Sequence, residues 1–395
     1  MLWKVLAEDL SQGSCASTIR DVKTVTDRVK HEGLSFLTIT LPHFGKDFEK
    51  SLAKGKVSHD QFAGFRFSGG LPAFMQGFLG NVFDRDTGLL LDAPCIDSIF
   101  AIRQLTLVFK KIELDCSDER TALAMRKFVE IEQELKELSF SDEDISSFTR
   151  VSGLLFGNVL YKIDRMIKNG EVLPKHGPGA TADRLKGNRK WKQAVWTDRL
   201  EMIFPFVDYA IPSERFWRVT EHVDYLSPGQ EQPVRVIPVP KTLEAPRIIA
   251  IEPTCMQYMQ QAILEPLVLE LEADNIGSWL VGFTDQEPNQ LLAREGSLTG
   301  TLATLDLSEA SDRVSNQLVL AMLSKFPNLN LGVDATRSRK ADVPGQGVLR
   351  LAKFASMGSA LCFPIEAMVF ATVVFMAIEK EQGRPLTPRD IQSYK

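Results

Sequence analysis

Cysteine is scarce in this sequence and nowhere closely paired: Cys15, Cys95, Cys116, Cys255 and Cys362 include no CxxC spacing. That argues against a structural zinc site and a disulfide framework, and it suits a reducing cytoplasm. Positive charge is not in excess, since the formal net charge is −5. A nucleic-acid partner is therefore not announced by overall charge and needs a local basic channel. The start, MLWKVLAEDLSQGS, has no long apolar region behind a basic one, so no signal peptide is expected. Internal repeats and low-complexity tracts are lacking, and no glycine loop is followed by GK[ST], which excludes a Walker-type phosphate loop. Long apolar runs are nearly absent too. The one stretch that could pass for a membrane span, Ala360 to Ile378, is interrupted by Pro364 and Glu366 and reads as a helix buried in a large core. What is present is the composition of a globular protein: 395 residues, 44% hydrophobic and 25% charged, with room for two or three domains or one large domain with subdomains.

Carboxylates stand in one unusual place. The apolar run Thr301 to Leu305 reads as a strand and ends at Asp306; a second acid, Asp312, follows before helical spacing resumes at Val314. Asp306 or Ser308 can simply cap the next helix. Alternatively, Asp306 holds a metal ion at a strand end.

Elsewhere the pattern is more ordinary. Glycine-rich turns such as "FSGGLPAF" mark the first 150 residues, and Ser117 to Leu138 has a helix start at Ser117 and Glu119 with a solvated charged face. The acidic stretch Ser139 to Phe148 breaks that pattern and reads as a subdomain boundary. Leu173 to Trp196 is the most basic window, with a loop at Lys175 to Thr181, then Arg184, Lys186, Arg189, Lys190 and Lys192 among Trp191 and Trp196. Cations interleaved with aromatics suit single-stranded nucleic acid, though a solvated basic face with inward tryptophans gives the same pattern. Val234 to Pro253 reads as a hairpin turning at Thr242 to Ala245, with Lys241 and Arg247 beside the turn. Such a pair can clamp a polyphosphate, or serve as edge-strand charge that wards off aggregation. Helical segments follow at Cys255 to about Leu271 and at Thr284 to Ser297.

The order of these segments resembles the RNA-directed RNA polymerase, the replicase catalytic subunit, of levivirus-type positive-strand RNA bacteriophages. "HGPGAT" (His176 to Thr181), "VPKTLEAPRIIAIEP" (Val239 to Pro253), "LATLDLSEASDRVS" (Leu302 to Ser315) and "FASMGSALCFPIEAMVF" (Phe354 to Phe370) carry the resemblance, which covers roughly residues 173 to 378. It implies a right-hand polymerase of the α+β class: fingers, and a palm whose antiparallel sheet is backed by helices. The divisions expected are a largely helical 1–172, fingers with basic nucleotide-channel elements at 173–300, and palm at 301–395.

The resemblance also implies residue roles. Asp306 becomes the catalytic metal ligand for two Mg²⁺ ions. Lys241 and Arg247 contact the triphosphate, Asp312 (or Ser311) senses the ribose 2′-hydroxyl, and Ser356 and Gly358 form the loop under the template–nucleotide pair. His176, Arg184, Lys186, Arg189 and Lys190 fall to RNA binding, while Glu366 reads as a buried, hydrogen-bonded helix acid. The family's partner metal ligands lie in a Gly-Asp-Asp hairpin, which is not found between Phe370 and Lys395. The expectation is a chain truncated before that hairpin, with an incomplete palm and no thumb, inactive by itself. The implied partners are a single-stranded RNA template, nucleoside triphosphates, host elongation factors Tu and Ts and a ribosomal protein, in the cytoplasm of an infected bacterium. A reverse transcriptase and a non-catalytic RNA-binding remnant of the fold are the alternative readings.

Overall fold

The computed structural model describes residues 1–211 and 213–394. The chain divides into two compact units, residues 1–124 with 238–247 and residues 125–237 with 248–395. This division cuts across the expected boundaries at 172 and 300, because the tip of the 234–251 hairpin groups with the N-terminal residues.

The first unit is built on aromatic packing. Helices α1 (Leu2–Ser14), α2 (Ile19–Glu32), α3 (Leu41–Lys54) and α4 (Ile96–Leu107) each bury part of their surface. Phe44 lies inside, its ring centroid 4.6 Å from that of Phe62 and 4.8 Å from that of Phe65, both edge-on. Such pairs contribute about 0.5–1.5 kcal/mol beyond the area they bury. The expected glycine turn is a small hairpin, β1 (Phe67–Ser68) against β2 (Leu71–Pro72). Its Gly70 has no room for a side chain, since a Cβ there would lie 2.5 Å from the Gly88 nitrogen.

The charged helix read at Ser117 to Leu138 is α5 (Asp118–Glu137), whose residues from Met125 on belong to the second unit. The acidic stretch after it is no boundary. Ser141 and Asp144 form a capping box, with the Asp144 amide donating to Ser141 Oγ at 3.0 Å, and Asp142, Glu143 and Asp144 fill the first turn of α6 (Asp142–Lys168). Acidic groups there oppose the positive helix end, so the charge cluster starts the helix. Phe148, Val151, Leu155, Val159, Ile163 and Ile167 follow at spacings of three and four and are buried. This face packs against α7 (Thr254–Ala273), α9 (Asn316–Leu323), α10 (Pro327–Thr336) and α11 (Cys362–Gln382). Helix α8 (Glu287–Thr299) buries no residue.

A parallel pair, β3 (Val195–Thr197) and β4 (Asp224–Leu226), precedes the main sheet. That sheet has the order β6-β5-β7-β8, from β5 (Val234–Val239), β6 (Arg247–Ile251), β7 (Lys340–Val343) and β8 (Gly347–Arg350). The expected antiparallel sheet is in fact mixed: β5 runs parallel to β7 in the register Val234↔Ala341, while β7 and β8 form an antiparallel hairpin. The long helical connection from β6 to β7 returns the chain in the direction of β5, which permits the parallel pairing. Val234, Val236, Ala250, Ala341 and Val343 pack with Met125 and Phe128 of α5.

The strand expected at Thr301 to Leu305 does not form. Residues 301–307 are irregular and exposed, Leu305 at 83%. A strand exists only where a neighbour supplies its ladder, and none of the described strands lies alongside. Helix α11 is long and apolar enough to cross a membrane by length and composition. Ile365, Met368, Val369, Thr372 and Phe375 are buried, whereas Phe363, Val373 and Val374 are exposed, so it is a one-sided core helix and not a fully buried one.

Ser141→Ala removes one side of the capping box and should cost ~1 kcal/mol. A lower thermal midpoint with unchanged circular dichroism at room temperature is the expected result.

Candidate functional site

Three stretches of the second unit converge on Asp312. Residues 314–316 run beside 352–354, with an isolated antiparallel bridge at Ser315↔Lys353 and the Phe354 amide donating to the Val314 carbonyl at 2.7 Å. The 351–360 segment is fixed from several sides. The Arg337 guanidinium donates to the carbonyls of Leu351, Lys353 and Phe354, at 3.1, 2.6 and 2.8 Å. Glu132 of α5 accepts from the Ala352 amide at 2.6 Å, and the Gln260 side-chain oxygen accepts from the Ala360 amide at 3.0 Å. The Ala250 amide of β6 donates to the Met357 carbonyl at 2.8 Å. Gly358 has φ +125, and a Cβ on it would lie 2.0 Å from the Ala250 oxygen, so the loop requires glycine there.

Within this frame the Asp312 carboxylate accepts from Ser356 Oγ at 2.8 Å and from Lys353 Nζ at 3.0 Å. Ser356 and Asp312, both expected at the site from motif order, are thus brought together. Ser311, the alternative to Asp312, is buried beside it. Glu366 differs from expectation: its Oε2 is buried with no hydrogen-bond partner among the described residues. Burial, then the negative charge of Asp312, push the Glu366 carboxyl above its usual range. Its position on α11, which shields one oxygen without offering a donor, is why the expected hydrogen bond is missing.

Asp306 lies in the exposed 301–307 segment and not at a strand end. No group of three or more His, Cys, Asp or Glu side chains that could hold a metal ion occurs among the described residues. Asp306 is a single anchor, so the residues present do not by themselves fit a pair of Mg²⁺ ions.

The basic window separates into two kinds of residue. Arg184, Lys186 and Arg189 are exposed. Lys190 is buried, and its ammonium donates to the carbonyl oxygens of Gly177 and Gly179, at 2.7 and 2.5 Å. Its charge holds the 177–179 loop together, which corrects its reading as an RNA contact. His176 stacks on Tyr258 with centroids 4.4 Å apart and meets Trp191 edge-on at 4.7 Å. Burial, and secondarily the Lys190 charge, lower its pKa to about 4. Trp196 packs inward and is fully buried, whereas Trp191 is 61% exposed. A cavity of about 290 Å³ adjoins this loop, lined by Gly177, Gly179, Ile237, Ile249, Ile251 and Gly358. A larger one, about 650 Å³, is lined by Arg28, His43 and Lys46 of the first unit and holds none of the residues expected at the site.

Lys241 and Arg247 are exposed beside the 242–245 turn, in the first unit. There the Thr242 carbonyl accepts from Cys116 Sγ at 3.0 Å and the Leu243 carbonyl from Arg120 at 2.9 Å. The turn is therefore held through its own backbone, and neither cation is needed to hold it.

Lys353, Arg337, Gln260 and Glu252 escaped the sequence reading. Glu252 is buried, accepts from Ser338 Oγ, and has its carboxyl raised to about 7 by burial. A signal existed only for Lys353, a lone cation inside "LAKFASMG".

A family model described as "RNA replicase, beta-chain" matches residues 177–384. The chain is 29% identical over 266 residues to the RNA-directed RNA polymerase subunit beta of Enterobacteria phage SP, covering 64% of this chain and 44% of that protein. It is 34% identical over 139 residues to the RNA-directed RNA polymerase beta chain of Escherichia phage MS2, covering 35% and 24%. To the corresponding subunit of Escherichia virus Qbeta it is 32% identical over 189 residues, covering 46% and 31%. The chain thus spans less than half the length of each of these relatives.

With its pKa near 4 in the folded chain and about 6.5 unfolded, His176 binds a proton more readily in the unfolded state. Stability should therefore fall as pH drops from 6.5 to 4. In His176→Gln the drop in thermal midpoint between roughly pH 7 and pH 4.5 should be smaller than in the parent. An equal drop would contradict the burial of this ring.

Proposed function

The chain belongs to the RNA replicase beta-chain family, and from that premise we propose that it carries the nucleotide- and template-binding elements of an RNA-directed RNA polymerase acting on a phage single-stranded RNA. The observation that carries this is the convergence of Asp312, Ser356 and Gly358, from two separate segments inside the family-matched region, on one junction beside β6. In this reading the second unit supplies fingers and palm elements of a right-hand polymerase.

Each residue then has a chemical task. Gly358 lets the backbone come close to β6 and leaves a smooth floor where a template–nucleotide pair rests. Asp312 accepts a hydrogen bond from a ribose hydroxyl, and Ser356 fixes the carboxylate that does so. Lys241 as a point charge and Arg247 as a planar fork bind the triphosphate. Arg184, Lys186 and Arg189 neutralise template phosphates, and Trp191 with His176 offers aromatic surface beside them. Mg²⁺ belongs to the proposal with Asp306 as one ligand; bound, it supplies charge stabilisation for phosphoryl transfer. Host elongation factors Tu and Ts and a ribosomal protein, and the cytoplasm of an infected bacterium, complete it.

Two measurements test the reading. Binding of a single-stranded RNA should weaken with salt, and each of Arg184→Ala, Lys186→Ala and Arg189→Ala should reduce the slope of log K against log salt by about 0.7. Lys190→Gln should instead lower the thermal midpoint. Equal slopes in all four variants would remove the template role.

Asp306→Asn should leave the thermal midpoint unchanged, because the side chain is exposed. In an active replicase carrying this segment it should reduce Mg²⁺-dependent nucleotide incorporation roughly 10²- to 10³-fold, by analogy with loss of one preorganised charge-stabilising group. Incorporation at the parent rate would refute the metal role.

A further inference from the structure

Lys353 is completely buried, and charged and aromatic groups surround its ammonium. The ammonium lies 3.0 Å from Asp312 Oδ1, 3.3 Å from Glu132 Oε1 and 3.5 Å from the centroid of the Phe128 ring. Its backbone is equally fixed, bridged to Ser315 and with its carbonyl accepting from Arg337. A lysine sealed from water in this way loses hydration, and two carboxylates with an aromatic face replace it.

The distribution of bonds on Asp312 is asymmetric. Lys353 Nζ and Ser356 Oγ both donate to Oδ1. Among the described residues no side-chain hydrogen bond reaches Oδ2. The Asp312 side chain keeps 12% of its surface exposed while that of Lys353 keeps none. One oxygen is thus engaged inside the protein, and the carboxylate retains an accessible remainder. Glu366, with its unpartnered Oε2, is close enough for the charge of Asp312 to act on it.

We propose that Lys353 is the positioning residue for Asp312, turning the carboxylate so that Oδ1 is held by the protein and Oδ2 is presented to the ribose hydroxyl of an incoming ribonucleotide. The inference rests on the function proposed for this site and adds a residue that the motifs themselves do not single out. A neutral donor at 353 would satisfy Oδ1 yet leave the Asp312 and Glu132 charges unmatched. An arginine would keep the charge but place its donors differently, as a planar fork instead of a compact point charge. Lys353→Arg therefore separates orientation from charge.

The test is the ratio of dissociation constants for 2′-deoxy-ATP and ATP, measured by calorimetry on the full chain with a uridine-containing RNA oligonucleotide present. The parent should prefer ATP. Lys353→Arg and Lys353→Met should each bring the ratio down by about tenfold or to unity, the size expected for one charge-assisted hydrogen bond. Asp312→Asn should do the same, and adding Lys353→Met to Asp312→Asn should change the ratio no further, because the lysine acts through that carboxylate. A merely structural lysine would lower the thermal midpoint in all backgrounds and leave the ratio alone. If Lys353→Met does not fold, Lys353→Arg decides: a folded Lys353→Arg protein with the parental ratio overturns the inference while the proposed function stands. A parent chain without preference for ATP removes both.

Discussion

An ammonium ion with no surface in water has to be matched where it sits, and that constraint organises the second unit around residue 353. Glu132 comes from the charged helix α5, Asp312 from the turn before α9, and the lysine itself from the segment leading into α11. Three segments far apart in sequence are therefore held to one point. Removing the lysine leaves two carboxylates without their shared cation, which typically costs more than an intact pair contributes. The polar contacts of Arg337, Gln260 and Glu132 with the 351–360 backbone extend the same logic. They leave the loop around Gly358 little freedom to be anything but the floor beside β6.

The helices were legible because their signals are local. The spacing of apolar residues, the Ser141 cap and the acidic first turn of α6 all act within a few residues, although the same acids also look like a break when read without the cap. The 234–251 hairpin was legible from alternation around a turn. The Asp306 strand was not. Its pattern is right for a strand, but pairing is a property of a neighbour, and no alternation in residues 301–305 can state whether one is present. The direction of β7 against β5 is hidden for the same reason.

At the site, the family resemblance pointed to Asp312, Ser356 and Gly358; Ser356 bonds to Asp312, and Gly358, two residues on, lies against Ala250. What the sequence could not show is how each charge is used. Lys190 and Arg189 are adjacent and chemically alike; one is committed to loop carbonyls and the other faces solvent. Lys353 stood out only as a lone cation, with nothing to name its partners, since Asp312 lies 41 positions away and Glu132 far beyond that. Glu366 likewise reads as an ordinary helix acid until its missing partner is seen.

The grouping of residues 238–247 with the N-terminal residues has a consequence for how such a protein can change over evolutionary time. The chain passes between its two units more than once, so neither is a contiguous cassette that one recombination event can exchange. A replacement for residues 1–124 would have to bring side chains able to receive the 242–245 backbone, as Cys116 and Arg120 do here. Substitutions on the two segments are therefore expected to be inherited as correlated sets. Exchange between related phages should be tolerated most readily where both segments travel together.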